Sequence, residues 1–162
     1  RSDLPLGMHI PYAPFAFRNR VVTTLGQHFP SVGFSDRSFH VRTSAERLAE
    51  WTAHKAHWIV PVLNDVPIRI FDALISGGIP VVPESLRLLA PVRDLPREHV
   101  VFYGPQDVVD PREVVARGLA LFNAGGRDGI AARHRLALEG HHGDQRVRQM
   151  ADAAADLFGL KV

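Results

Sequence analysis

Apolar residues along this chain fall into short strand-like runs and longer helical stripes, and the two kinds alternate. The clearest unit spans residues 64–82. Ile68, Phe71, Leu74 and Ile75 recur at helical spacing, and the Gly77-Gly78 pair behind them supplies the positive φ that ends a helix. Ile79-Pro80-Val81-Val82 is then an apolar run rich in β-branched residues, as a strand buried in a parallel sheet requires. Asn64 or Asp65 is the expected cap of this helix, and Pro67 suits its first turn, where a missing N–H costs nothing. Asp72 falls at the edge of the apolar stripe. A carboxylate there needs a partner, because an unpaired charge leaving water is costly.

The same pattern extends in both directions. A polar, Pro- and Gly-punctuated leader of residues 1–7 precedes an expected strand at Met8-His9-Ile10-Pro11-Tyr12. A helix is expected from Arg18 through Val21, Val22 and Leu25 to His28, ended by Phe29-Pro30, with a second strand at Ser31-Val32-Gly33-Phe34. Ser44 is the expected cap of the next helix, ahead of a strand over residues 56–63. Beyond Val82 an irregular segment is broken by Pro91 and Pro96. His99-Val100-Val101-Phe102-Tyr103 is the last clear strand. Asp110-Pro111 opens a further helix that Gly125-Gly126 is expected to end, and helices near 130–138 and 144–158 form a C-terminal tail. Strands alternating with helices predict a single α/β domain over residues 1–162. It is a three-layer, Rossmann-like arrangement with a mostly parallel sheet of about five strands.

Composition narrows the function classes. An apolar fraction of 46% supports a real core, and no apolar run is long enough to span a membrane. Without cysteine there is neither disulfide nor thiol chemistry. The chain opens on Arg1 without a signal-peptide pattern, so the sequence reads as a cut or processed piece of a longer, cytoplasmic protein. Net charge is +2 with no Lys/Arg cluster, and nucleic acid is not an expected partner.

In open α/β sheets ligands sit beyond the carboxyl ends of the strands, where helix N-termini offer N–H groups. The loop at residues 63–67 is such a place, and a diphosphate there is favoured by the helix dipole. Asp72, further along the helix, is suited to accept hydrogen bonds from vicinal sugar hydroxyls; the alternative is a surface ion pair with Arg69, three residues back. Arg18 and Arg20 stand where the loop after the first strand meets its helix. They are phosphate candidates, with solvated helix arginines as the alternative. His54 and His57 lack a third partner at metal spacing, and no metal site is expected. Gly125-Gly126-Arg127-Asp128-Gly129 follows a helix rather than a strand and reads as a turn, not a dinucleotide loop.

Residues Val66-Pro67-Ile68-Arg69-Ile70-Phe71-Asp72-Ala73-Leu74-Ile75-Ser76-Gly77-Gly78-Ile79-Pro80-Val81-Val82 resemble the donor-binding signature of GT-B glycosyltransferases, most closely the spore-maturation-type branch. The similarity runs on through His99-Val100-Val101-Phe102-Tyr103 to a tail at Glu139-Gly140-His141-His142 and Arg146, and covers about residues 57–155. The resemblance implies one half of a GT-B fold that binds a nucleotide diphosphate sugar, without a metal or other cofactor. The partner it implies is an acceptor-binding domain N-terminal to this one. In the family two acidic residues stand eight apart. The second, which holds the donor ribose, is Asp72 here; the first position is Asn64, with Asp65 beside it as the substitute carboxylate. Arg69 matches the motif arginine and is expected on donor phosphate. No catalytic base is identified. The alternative is a stand-alone nucleotide or nucleotide-sugar binding module. An NAD-dependent enzyme is disfavoured, since no strand is followed by G-x-G-x-x-G.

Overall fold

The computed structural model describes residues 1–7, 9–29, 33 and 42–159. Strands β1 (Ala56–Trp58), β2 (Ile79–Pro83) and β3 (Val101–Tyr103) form one parallel sheet in that order. Around it lie helices α1 (Ala16–His28), α2 (Ser44–Thr52), α3 (Arg69–Ile75), α4 (Pro105–Val109), α5 (Arg112–His141) and α6 (Gly143–Phe158). The chain is α/β, as the alternation of patterns predicts. Among the described residues no helix is long and apolar enough to cross a membrane.

Successive side chains on a strand point to opposite faces, and here both faces are covered. Ala56, Trp58, Ile79, Val81, Val101 and Tyr103 pack with Val22 and Leu25 of α1 and with Val114 and Phe122 of α5. On the other face Ile59, Val82 and Val100 pack with Ile70 and Leu74 of α3 and with Ala137 of α5. Each fully buried Leu or Ile in these layers contributes about 1.5–3 kcal/mol. Helix α5 serves both faces because it bends at Gly126, whose φ of 52° and ψ of −144° no helix interior adopts. Arg133 fills the bend. It is 1% exposed, its Nε donates to the Gly77 carbonyl at 3.0 Å, and its guanidinium lies 5.4 Å from the Phe122 ring centre. A Cβ on Gly129 would stand 3.1 Å from Arg133 Nη1, so this glycine makes room for a buried arginine.

Several expectations from the sequence are corrected. Three strands, not about five, are present among the described residues. The described part of the expected strand at residues 8–12 forms no ladder; Ser2 and Leu6, further upstream, make single parallel bridges to His54 and His57. The strand expected at residues 31–34 lies outside the described residues except for Gly33, whose carbonyl accepts from His9 N at 3.0 Å. Strand β1 stops at Trp58 rather than running to residue 63, although Ile59 N still donates to Val81 O. Pro61 has no N–H to continue the ladder. Strand β3 begins at Val101, since Arg97–His99 is a 3₁₀ turn. The cap of α2 is Thr43, not Ser44, in a reciprocal capping box with Glu46. Gly125-Gly126 bends a helix instead of ending one. The unexpected α4 precedes α5, whose cap is Pro111, while Asp110 accepts from Arg112 Nε at 2.9 Å.

Candidate functional site

All three strands point their carboxyl ends the same way, and the segments that follow them meet the start of α1 around a cavity of about 600 Å³. Phe15 to Arg18 supply one wall, Val60 to Asn64 a second, Pro83 to Ser85 a third, and Tyr103 to Pro105 with Val108 the fourth. Most of this lining is apolar. Arg18 is the one cation and Glu84 the one carboxylate among the lining residues.

Local sequence fixes the α1 wall. Asn19 Oδ1 accepts from Tyr12 N and its Nδ2 donates to Tyr12 O, both at 2.7 Å, which clasps the preceding loop to the first turn. Phe15, the cap residue, has no side-chain acceptor, and the first turn carries no acid. The helix therefore presents N–H groups without a side-chain cap, at the positive end of its dipole, to the cavity. Arg18 rises from this turn and is 6% exposed. Its Nη1 donates to Ile10 O and its guanidinium lies 4.7 Å from the Tyr12 ring centre, yet its buried Nε has no hydrogen-bond partner among the described residues. Burial holds its basicity below the ordinary arginine value, Tyr12 and Asp65 act to raise it, and the charge of Arg69 lowers it further.

Arg69 is half-buried and is likewise held below its ordinary pKa, first by burial and against the pull of Asp72. Within the described residues neither Arg18 nor Arg69 has a carboxylate within 4 Å. Both lower the basicity of the buried His9, whose pKa is pushed down to about 3 mainly by burial. Arg69 lines the small recess that also holds Asp72 and is not part of the cavity lining, so Arg18 is the guanidinium group at the cavity itself. A guanidinium group with no carboxylate within ion-pair distance among the described residues, at the start of a helix, favours an anion.

Compared with protein-family models, with curated proteins and with solved structures, the chain matches none.

The other residues singled out from the sequence fall in different places. Asn64 lines the cavity. Asp65 does not cap α3: its Oδ1 accepts from Val62 N and Leu63 N, both at 3.1 Å, because the tight bend just before it leaves those donors free. Helix α3 is capped by Ile68 without side-chain help, and Pro67 stands ahead of the helix, its carbonyl accepting from Ile70 N at 3.1 Å. Arg20 is exposed on α1 and does not line the cavity. Asp72 faces a separate recess of only about 10 Å³, with Leu6, Gly7, Trp51, His57 and Arg69. Burial pushes its carboxyl up to about 6, against the opposing pull of Arg69 and Arg47.

His54 Nδ1 and His57 Nε2 sit 2.8 and 3.0 Å from the carbonyls of Leu4 and Trp51, so each ring ties backbone segments together. Among the described residues no group of three or more His, Asp or Glu side chains is placed to hold a metal ion. The tail of the sequence resemblance meets its centre: His141 stacks on Phe71 at 4.5 Å, and Arg146 lies 6.0 Å from the same ring centre and 2.6 Å from His141 Nδ1. Glu84 and Ser85, at the end of β2, join the cavity without having been marked by any sequence pattern.

A second cleft, of about 700 Å³, runs beside β3 and is lined by Arg87, Arg93, Arg97 and Arg117. It is larger but chemically less available. Arg87 pairs with Glu84, Arg93 with Asp94 and Arg117 with Asp107, and Arg117 also donates to Phe102 O. Arg97 has no ion pair among the described residues, so charge alone does not separate the two; the cavity at the strand ends is the stronger candidate because it lies beyond the carboxyl ends of the sheet, beside the start of α1.

Proposed function

We propose that this chain is the nucleotide-sugar-binding half of a GT-B glycosyltransferase, holding a nucleotide diphosphate sugar for transfer to an acceptor bound by another domain. The observation that carries the reading is Arg18, without a carboxylate within 4 Å among the described residues, at the start of α1 and lining a cavity large enough for a nucleoside. The diphosphate lies against Arg18 and the first turn of α1, and Arg69, in the neighbouring recess with Asp72, adds positive charge from outside the cavity. These groups stabilise the negative charge of the departing nucleotide diphosphate without a metal. The ribose role that the resemblance gives Asp72 is not carried into this proposal, since Asp72 opens on the small recess instead of the cavity.

The same proposal covers the finer fold. In a Rossmann-like domain with three layers, the segment that bridges to His54 and His57 is the strand beside β1.

Calorimetric titration tests the reading. A nucleoside diphosphate is expected to bind, Arg18→Gln to weaken it about tenfold or more and Arg69→Ala to weaken it less, both leaving the bare nucleoside unchanged. Binding of the diphosphate is also expected to weaken with salt. Residues 1–162 alone are expected not to transfer the sugar. Equal losses for diphosphate and nucleoside, or efficient transfer by this chain alone, overturn the proposal.

A further inference from the structure

We propose that the bend in α5 is an anion site, where the Arg133 guanidinium and the N–H groups that follow Gly126 hold a phosphate group. It lies at the amino end of the sheet, since Gly77, whose carbonyl Arg133 contacts, stands just ahead of β2. The strand-end cavity is at the opposite end, and the two sites are independent.

A long side chain on a helix runs toward the N-terminus, over the preceding turns. Arg133 does so: a Cβ on Gly129 would stand 3.1 Å from its Nη1 and one on Gly125 3.6 Å, while a Cβ on Gly126 would meet nothing within 4 Å. These glycines leave no side chain of their own between the guanidinium and the outside of the bend. Arg133 is 1% exposed, and its Nη2 has no hydrogen-bond partner among the described residues. A buried charged donor left unpaired is costly, and the bond from Nε to the Gly77 carbonyl satisfies only one corner of the fork.

Two further features favour a doubly charged anion. Gly126, at φ 52° and ψ −144°, breaks the helical path, so residues 127–141 start a helical segment of their own. The first N–H groups of such a segment lack an acceptor one turn earlier and sit at the positive end of its dipole. Arg1 adds a second cation: its guanidinium lies 5.3 Å from the Phe122 ring centre, against 5.4 Å for Arg133. Neither arginine has a carboxylate within 4 Å among the described residues; Asp128, in the first turn of the new segment, is exposed. Burial and then the charge of Arg1 push the Arg133 pKa down to about 10, so it remains a cation at neutral pH. A guanidinium fork suits a phosphate group, which accepts from both terminal nitrogens at once, and Nη1 and Nη2 both lie beside Gly129.

The test is an amide NMR titration of the wild-type chain, Arg133→Met and Arg18→Gln with inorganic phosphate, against acetate and chloride at equal ionic strength. The amides of Arg127, Asp128 and Gly129 are expected to shift saturably with phosphate, more weakly with acetate and not with chloride. Arg133→Met, its fold checked by circular dichroism, is expected to weaken phosphate at these amides about tenfold or more. Arg18→Gln is expected to leave that affinity unchanged, which separates this site from the strand-end cavity. Phosphate shifts confined to the first turn of α1, equal shifts with chloride, or an affinity unchanged in Arg133→Met overturn the proposal. The wild-type titration decides the question even if Arg133→Met does not fold, because the amides that move locate the anion directly.

Discussion

Asp72→Asn is expected to stabilise the fold at neutral pH, which is unusual for loss of a carboxylate beside two arginines. Burial pushes the Asp72 carboxyl from 3.8 up to about 6, and Arg69 and Arg47 recover only part of that cost. No ion pair within 4 Å links Asp72 to either arginine among the described residues. The folded state therefore holds the proton more tightly than the unfolded chain does. The stability this contributes is fully present below about pH 4, the unfolded value, and is lost as pH rises through about 6. A shift of that size corresponds to about 3 kcal/mol for a fully desolvated group, and partial exposure of Asp72 reduces it to about 1–2 kcal/mol. Asparagine keeps the shape and does not ionise. Urea unfolding at pH 8 is expected to show the variant more stable by about 1–2 kcal/mol, and the difference is expected to vanish near pH 4. A variant less stable than wild type at pH 8 means that Asp72 forms a stabilising pair with Arg69, and refutes the reasoning.

Two further outcomes follow from the same structure. Gly77→Ala is expected to cost about 2–5 kcal/mol in urea unfolding, because Gly77 has a φ of 75° and an added Cβ would stand 2.5 Å from Ile130 Cγ2; a loss under about 1 kcal/mol contradicts that packing. His57 is buried neutral, with its pKa pushed down to about 3 by burial and by His54, so its contribution is present above about pH 6.5 and lost as pH falls toward 3. His57→Gln, which can still donate to the Trp51 carbonyl, is expected to lessen acid destabilisation over that window, and an unchanged acid limb in pH-dependent thermal unfolding counts against it.

The α/β class and the positions of β2, α1 and α6 were legible because each rests on a strong periodic pattern with a clear break at its end. Finer features depended on competition between partners that a sequence does not display. Asp65 was a fair helix cap until Val62 and Leu63 offered two free N–H groups closer by. A Gly-Gly pair ends or bends a helix with equal ease; Arg133, eight residues after Gly125, decides for a bend by filling it. Arg18 and Arg20 looked alike as phosphate candidates. Residues two apart on a helix point roughly 200° away from each other, so only one of them can turn inward. Arg18 shares the buried stripe of Val21, Val22 and Leu25 at helical spacing, and Arg20 does not. Glu84 was invisible for a different reason. Its place in the cavity lining comes from where β2 ends relative to the loops after β1 and β3, and no local motif encodes that.

The central claim is that a diphosphate binds where Arg18 meets the first turn of α1. A crystal structure of the chain grown with a nucleoside diphosphate tests it most directly. The account predicts the terminal phosphate within hydrogen-bonding distance of the Arg18 guanidinium and the first-turn N–H groups of α1, with the base in the cavity at the strand ends. A nucleotide bound in the recess beside Asp72, or along the arginine cleft outside β3, contradicts it.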